Sequence, residues 1–319
     1  MKKASRSASE SGRPSESGLP SETGLHGVVA AALTPRRAGK PVVDLAALLE
    51  MIDFLCSAGV QGIVLFGSTG EFVHFETADR ARALSLAVKR SRCPVYANVS
   101  HSTMDSAIAL ADEAASAGAE GVLLMPPIYF RYDQETVFQY YLDFLGALHG
   151  ILPAYLYNIP VFCTAISVET AASLIAGGYS GIKDSSGDPE YFTRLLEACG
   201  ESGARLLTGS ELLYGRFRRA GATGIVSGVA AAVPELLVGY ENALCGGDEE
   251  AVSRLGARVE EFVAWVEEFP APMVIREAAN LRGLRAGAAA APLGPGLRGR
   301  LEEFRAWFPE WWRAVQGAL

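Results

Sequence analysis

The sequence predicts an α/β fold, a (β/α)8 TIM barrel with a C-terminal helical extension. Short apolar runs alternate with alanine-rich amphipathic segments from Gly27 onward, and the eight repeats of this alternation match a barrel of eight parallel strands. Each run is apolar on both faces, which is typical of a parallel strand covered by helices. The predicted strands are residues 28–33, 62–66, 95–99, 121–125, 153–157, 181–183, 205–208 and 224–226.

The segments between these strands have the apolar spacing of helices that bury one face. A doubly wound open sheet is the alternative fold, but no glycine-rich phosphate-binding sequence follows the first strand, so the barrel is favoured. The predicted helices are residues 45–58, 77–90, 103–117, 135–148, 168–176, 191–198 and 211–220.

Composition divides the chain into three parts. Residues 1–24 are rich in Ser, Glu, Gly and Pro and lack the apolar residues that a core requires, so we expect a disordered N-terminal extension. Residues 25–233 are expected to form the barrel. Residues 234–319 are expected to form the C-terminal helical region, with helices beside the barrel at residues 248–269, 273–281 and 297–315.

Charge and composition argue against several classes of function. The formal net charge of −8 argues against a basic nucleic-acid-binding surface. No apolar run approaches the roughly 18 residues that a membrane span needs. The five cysteines are far apart and the four histidines are scattered, so we expect reduced thiols, a cytoplasmic location and no metal site.

Lys183 is the first candidate catalytic residue. It ends a short apolar run and precedes a turn, which places an amine at the C-terminal end of a strand, where barrel enzymes carry out their chemistry. A lysine removed from water can lose its proton and attack a carbonyl carbon to form a Schiff base, and an arginine cannot. The alternative is a structural lysine that pairs with Asp184.

The sequence Gly-Ser-Thr-Gly-Glu at residues 67–71 directly follows the second predicted strand. Ser68 and Thr69 bring two hydroxyls and nearby N–H groups to the same end of the barrel as Lys183. Such a turn can hold a small carboxylate and relay a proton. Alternatively, the segment is only a loop that leads into the helix at Thr77.

Three further residues are expected at the same end of the barrel. Tyr157 ends the strand before the lysine strand, so it should neighbour Lys183 and can shuttle protons for imine chemistry. Tyr129 follows the fourth strand, and Gly209 follows the seventh, where we expect a contact with substrate. The alternatives are packing for Tyr157 and a purely structural loop around Tyr129.

Three motifs together resemble those of the dihydrodipicolinate synthase and N-acetylneuraminate lyase family. They are residues 67–71, the Tyr-Asn-Ile-Pro of residues 157–160 and residues 181–188, and the resemblance extends over roughly residues 27–293. It implies a barrel with a helical extension and a class I, metal-free lyase. Such a lyase needs no cofactor, because a lysine forms an imine with pyruvate or another 2-oxo acid. It also implies a homotetramer built as a dimer of dimers.

The resemblance assigns four catalytic roles. Lys183 matches the Schiff-base lysine, and Tyr157 matches the tyrosine that moves protons to and from the imine. Ser68 matches the hydroxyl of the proton relay. Tyr129 matches the tyrosine that reaches across the dimer interface into the neighbouring site.

The resemblance also assigns substrate contacts and shows where this chain departs from the family. Thr69 matches the residue that binds the pyruvate carboxylate, and the carbonyl of Val226 faces the oxo acid. Phe162 stands where dihydrodipicolinate synthases carry an arginine that binds the carboxylate of the second substrate, so we expect a less acidic or more apolar acceptor. We expect no feedback inhibition by lysine, because the inhibitor-binding positions differ, being Ser102, Ser106 and Ile128.

The expected function is therefore that of a Schiff-base lyase or aldolase acting on a 2-oxo acid and an aldehyde. Two alternatives remain open: a dehydratase of 2-oxo sugar acids that uses the same imine, and a catalytically silent protein that binds 2-oxo acids. The expected partners are these small molecules and further copies of the chain, without nucleic acid or a membrane.

Overall fold

A closed barrel of eight parallel strands forms the centre of the computed structural model, which describes residues 24–37, 39–40 and 42–319. Each strand pairs with the next along the chain, and β8 pairs with β1. The predicted barrel is confirmed, and its closure excludes the open sheet. The strands are β1 (Gly27–Ala31), β2 (Gly62–Leu65), β3 (Val95–Asn98), β4 (Gly121–Leu124), β5 (Ala154–Asn158), β6 (Gly181–Asp184), β7 (Arg205–Thr208) and β8 (Gly224–Ser227).

A helix follows each strand and covers the outside of the barrel. The eighth of these helices was not predicted separately, and the predicted boundary between barrel and extension at residues 233 and 234 stays a prediction. The predicted disordered segment, residues 1–24, lies outside the described residues apart from Gly24. The barrel helices are α1 (Leu45–Ser57), α2 (Thr77–Arg90), α3 (Met104–Ala117), α4 (Gln134–Leu148), α5 (Val168–Ala176), α6 (Pro189–Cys199), α7 (Tyr214–Arg219) and α8 (Pro234–Gly246).

Three further helices form the extension: α9 (Glu249–Glu267), α10 (Met273–Leu281) and α11 (Pro295–Gln316). Aromatic side chains join α9 to α11, with the rings of Phe262 and Trp311 stacked at 5.3 Å. In the part of the chain that the structure describes, every helix is too short or too polar to cross a membrane.

Two of the barrel helices, α6 and α7, begin two or three residues away from their predicted starts. α6 begins at Pro189 because the Asp188 carboxylate accepts the N–H groups of Glu190 and Tyr191, at 2.9 and 3.1 Å. α7 begins at Tyr214 and not at residue 211. The Glu211 carboxylate instead accepts hydrogen bonds from Ser227 and Val229, and residues 211–213 form a turn before α7.

Gly181 allows β6 and β7 to approach each other at the start of the lysine strand. It has a φ of 153°, and a Cβ atom at this position would overlap the backbone of Arg205. β6 pairs with both neighbours in a register that places Lys183 directly opposite Tyr157 on one side and Leu207 on the other.

Candidate active site

Lys183 and Tyr157 form the centre of the candidate site. Both side chains are buried, Lys183 with 4% of its surface exposed, and they lie on adjacent strands in matched register. The Nζ atom of Lys183 is 4.1 Å from the centroid of the Tyr157 ring. The structure thus brings the predicted amine and phenol together.

Asp184 does not pair with Lys183. Its carboxylate accepts hydrogen bonds from Nδ2 of Asn158 and Oγ of Ser186, each at 2.7 Å. Successive residues of a strand point to opposite faces, so Asp184 is directed away from the lysine. Burial raises the pKa of the Asp184 carboxyl above its ordinary value, against the opposing effect of the hydrogen bonds from Ser186 and Asn158.

Ser68 joins the loop after β2 to this centre. Its Oγ atom lies 2.9 Å from the hydroxyl oxygen of Tyr157. The two hydroxyls predicted to take part in a proton relay are therefore in direct contact, and the relay itself stays a prediction. Together with Lys183 they form a continuous path from the amine, along the Tyr157 ring, to the loop after β2.

Two residues in the left-handed backbone region flank the Gly-Ser-Thr-Gly turn. Phe66 has a φ of 59° and Glu71 a φ of 51°, a conformation that costs a non-glycine residue about 1–2 kcal/mol. Each is held from outside the loop. The carbonyl of Phe66 accepts from Nδ2 of Asn98 at 2.7 Å, and the carboxylate of Glu71 is paired with Arg276.

Arg276 on α10 was not predicted as part of the site. It is 2% exposed, and its guanidinium donates to the Glu71 carboxylate and to the carbonyl oxygens of Thr34 and Ala286. Burial lowers the pKa of Arg276, and the Glu71 charge opposes that shift. The sequence signal that could have identified Arg276 is a single arginine among the buried apolar residues of α10.

Arg80 on α2 supports the same end of the barrel. It is buried and donates to the carbonyl oxygens of Asn98 and Ser100, at 2.7 and 3.1 Å. Its guanidinium also lies over the rings of Phe72 and Phe66, at 5.1 and 5.7 Å. Burial lowers the pKa of Arg80 to about 10, so the side chain stays charged at neutral pH.

Thr69 lies against the turn after β8, the strand that contains Val226. A Cβ atom on Gly228, two residues after Val226, would lie 2.8 Å from Oγ1 of Thr69. The turn is held by Glu211, whose carboxylate accepts from Oγ of Ser227 at 2.7 Å and from the N–H of Val229 at 3.2 Å. Sequence reasoning did not predict this role for Glu211.

Gly209 lies at the end of β7, beside the lysine strand. Its N–H donates to the carbonyl of Asp184 at 2.6 Å, and a Cβ atom here would overlap Oγ of Ser185. Gly209 is thus placed at the predicted end of the barrel, where a side chain would displace the segment after Lys183.

Tyr129 and Phe162 lie at the mouth of the site and not beside Lys183. Tyr129 is 88% exposed, has a φ of 83° and packs its ring edge-on against Phe130, with the centroids 4.9 Å apart. Phe162 is 53% exposed. Both residues line a cavity that also includes Ser68. Among the described residues, no group of three or more His, Cys, Asp or Glu side chains is arranged to hold a metal ion.

Comparison with known proteins gives concordant matches. The profile of the Dihydrodipicolinate synthetase family matches residues 24–307. An uncharacterized DapA-like lyase of Halobacterium salinarum is 32% identical over 286 residues, which cover 88% of this chain and 91% of that protein. A 4-hydroxy-tetrahydrodipicolinate synthase of Methanococcoides burtonii is 28% identical, over 84% of this chain and 92% of that protein.

A solved structure shows the same architecture. The 2-keto 3-deoxygluconate aldolase from Picrophilus torridus superimposes with a TM-score of 0.79 and 25% sequence identity, covering 84% of this chain and 98% of that chain. The fold and these relatives define the class of protein: a lyase of class I, whose members react through a Schiff base on a lysine. The chain belongs to the dihydrodipicolinate synthetase family. The resemblance seen in its motifs is confirmed.

Proposed function

We propose that this chain joins or cleaves a carbon–carbon bond between an aldehyde and a 2-oxo acid, pyruvate or a close relative, through an imine on Lys183. The observation that carries the proposal is the path from amine to hydroxyl. The Lys183 Nζ atom lies against the Tyr157 ring, and the Tyr157 hydroxyl lies 2.9 Å from Oγ of Ser68. A relative that is named as a 2-keto 3-deoxygluconate aldolase supports a lyase of this kind.

The imine is formed by attack of the neutral Lys183 amine on C2 of the oxo acid, followed by loss of water. In its protonated form the imine withdraws electrons from C3, so that C3 can lose a proton to give an enamine. In the reverse direction the same withdrawal cleaves the bond between C3 and C4. Tyr157 gives and takes these protons at the imine and the substrate, and the Ser68 hydroxyl exchanges them with Tyr157 through their 2.9 Å contact.

Thr69 binds the carboxylate of the oxo acid in this proposal. It follows Ser68, and the turn that contains Gly228 packs against it. The residues assigned to the 2-oxo acid, Thr69 and Val226, therefore come from neighbouring parts of the barrel end. Gly209 contributes space beside the lysine strand.

Assembly and location are part of the same proposal. Exposed apolar side chains cluster on the loops after β2, β4 and β5, which supports contact with a second chain. The residues of this cluster are Val73, Tyr129, Phe130, Val161 and Phe162. In the proposed homotetramer, a dimer of dimers, Tyr129 completes the site of the neighbouring chain.

The proposed location is the cytoplasm. The five cysteines are all free, which supports a reducing environment.

The test is intact-mass analysis after treatment with pyruvate and borohydride, which reduces an imine to a stable adduct. We expect one pyruvyl adduct on the wild type and on Lys89→Ala, whose lysine is exposed on α2, and none on Lys183→Ala. An adduct that persists on Lys183→Ala, or a wild type that traps no 2-oxo acid, would overturn the proposal.

Product analysis separates the two alternatives. A lyase acting on a 4-hydroxy-2-oxo acid releases pyruvate and an aldehyde, whereas a dehydratase acting on a 2-oxo sugar acid releases water and no pyruvate. A silent binding protein forms the trapped adduct but no product with any member of a broad panel of aldehydes and sugar acids.

A further inference from the structure

The mouth of the site is a cavity of about 360 Å³, here called the vestibule. Its walls include Ser68, Phe72, Val73, Ile128 and Phe162. Because Ser68 also contacts Tyr157 at 2.9 Å, the vestibule adjoins the residues around Lys183. The volume is at the lower end of the range for small-molecule sites, so it suits a short side chain.

The walls of the vestibule are mainly apolar. Phe72 and Val73 come from the loop after β2, Met125 and Ile128 from the loop after β4, and Phe162 from the loop after β5. Three loops that are distant in sequence thus contribute apolar side chains to the wall of the vestibule. A molecule with an apolar side chain would release water from these walls on binding, which is favourable.

The one carboxylate among the described residues of the vestibule wall, that of Glu71, is already paired. Glu71 forms an ion pair with Arg276, and its other carboxylate oxygen lies 3.4 Å from Nδ1 of His74. His74 is the one basic side chain among the described residues of the vestibule wall. Its Nδ1 atom faces Glu71, so a carboxylate bound here would have to share this one imidazole with the Glu71 carboxylate.

Arg131, on the loop after β4, does not line the vestibule and is hydrogen-bonded to the backbone of the loop after β5. The guanidinium of Arg131 donates to the carbonyl oxygens of Pro160 and Cys163, and so it braces the loop that carries Phe162. Among the described residues of the wall there is no lysine or arginine, so a carboxylate bound in the vestibule would lose part of its water shell beside the Glu71 carboxylate without a guanidinium or ammonium partner. Such burial is strongly unfavourable.

We propose that the vestibule binds the side chain of an uncharged, apolar aldehyde, so that the acceptor is an aliphatic or aromatic aldehyde without a carboxylate. This inference rests on the proposed function. The enamine carbon that was C3 of pyruvate forms a bond to the aldehyde carbon, and the aldehyde oxygen takes a proton from Tyr157. Water then hydrolyses the imine, which frees Lys183 and releases a 4-hydroxy-2-oxo acid.

The test compares butanal with succinic semialdehyde, a matched pair of four-carbon aldehydes that differ by a terminal carboxylate. With pyruvate fixed, we expect kcat/KM of the wild type to be at least about tenfold higher for butanal. Phe162→Arg adds a cation to the wall and should shift the ratio roughly tenfold or more toward succinic semialdehyde, since charge-assisted hydrogen bonds contribute that much. Phe162→Leu should keep the preference for butanal.

Ile151→Arg is the matched control, because Ile151 is exposed and lies outside both the vestibule wall and the apolar cluster proposed to contact a second chain. We expect it to leave the ratio unchanged. Equal or higher kcat/KM for succinic semialdehyde in a wild type that traps pyruvate would overturn the vestibule inference and leave the imine function intact. A wild type that traps no oxo acid would overturn both.

Discussion

The Nζ atom of Lys183 lies 4.1 Å from the centroid of the Tyr157 ring, because β5 and β6 pair with these two residues directly opposite each other. The ring contacts the amine with its face, while its oxygen reaches Ser68 at the far edge. The face of the Tyr157 ring therefore packs against the amine, whereas its hydroxyl oxygen is the atom available to transfer a proton.

Tyr157→Phe removes the oxygen and keeps the ring. We expect kcat to fall about 10²–10⁴-fold, the usual contribution of a positioned acid–base group, while the imine with pyruvate can still be trapped. Tyr155→Phe is the control, because the Tyr155 hydroxyl accepts from the N–H of Leu25 and does not contact Ser68. Steady-state kinetics and borohydride trapping measure the two effects. A Tyr157→Phe variant with unchanged kcat would contradict the relay.

Gly228→Ala tests the contact between the turn after β8 and Thr69. The new Cβ atom would lie 2.8 Å from Oγ1 of Thr69 and 3.2 Å from Cδ1 of Ile275, so Thr69 must move. Overpacking of this kind costs about 1–3 kcal/mol, and we expect KM for the 2-oxo acid to rise roughly tenfold. Gly246→Ala, at the end of α8 with no atom within 4 Å of the added Cβ, is the matched control. An unchanged KM in the Gly228 variant would show that Thr69 does not bind the acid.

Arg276→Met would leave the Glu71 carboxylate buried without a cation. We expect a loss of about 3–5 kcal/mol in the free energy of unfolding, measured by urea denaturation. The double variant Glu71→Gln with Arg276→Met should recover part of this loss, because it removes the buried charge as well. Arg285→Met breaks the exposed pair with Glu50 and should change stability little. Equal losses in the single and double Arg276 variants would contradict this account.

Asp184→Asn tests the buried carboxyl on the lysine strand. Burial raises the folded pKa of Asp184 above the ordinary value of 3.8, so the folded state holds a proton that the unfolded state has lost. The contribution of Asp184 to stability is therefore complete below that ordinary value and is lost as pH rises through the folded pKa. We expect the difference in unfolding free energy, wild type minus Asp184→Asn, to fall with rising pH and then level off.

Asp53→Asn is the control for that experiment. Hydrogen bonds from Arg90 lower the pKa of the Asp53 carboxyl, so its contribution is lost only as pH falls below the ordinary value of 3.8. Above that value the corresponding difference should stay constant. Urea denaturation at several pH values from about 4 to 8 measures both differences. A rising difference for Asp184 would contradict the assigned direction.

Lysine should not inhibit the enzyme. The positions that match the inhibitor site of the family carry Ser102, Ser106 and Ile128. We expect saturating lysine to leave the initial rate unchanged, in an assay with pyruvate and the preferred aldehyde. A rate halved by lysine would show that another set of residues binds it.

The sequence was sufficient for the barrel and for the centre of the candidate site because both follow from local rules. Alternating apolar runs predict the strands, and a strand-end position predicts that Tyr157 and Lys183 are neighbours. The ion pair between Glu71 and Arg276 follows no such rule, because it joins the loop after β2 to α10 across 205 residues. Tyr129 was placed at the correct end, but its exposed orientation depends on a positive φ that the sequence does not reveal.

The same ion pair sets an order of events during synthesis. Ribosomes add about 5–20 residues per second, so Glu71 is made about 10–40 s before Arg276. During that interval the Glu71 carboxylate lacks its guanidinium partner, and the loop that carries Ser68 lacks one of its external supports. A nascent chain that ends within α9 therefore contains every residue assigned to the imine chemistry, yet we expect it to bind no 2-oxo acid.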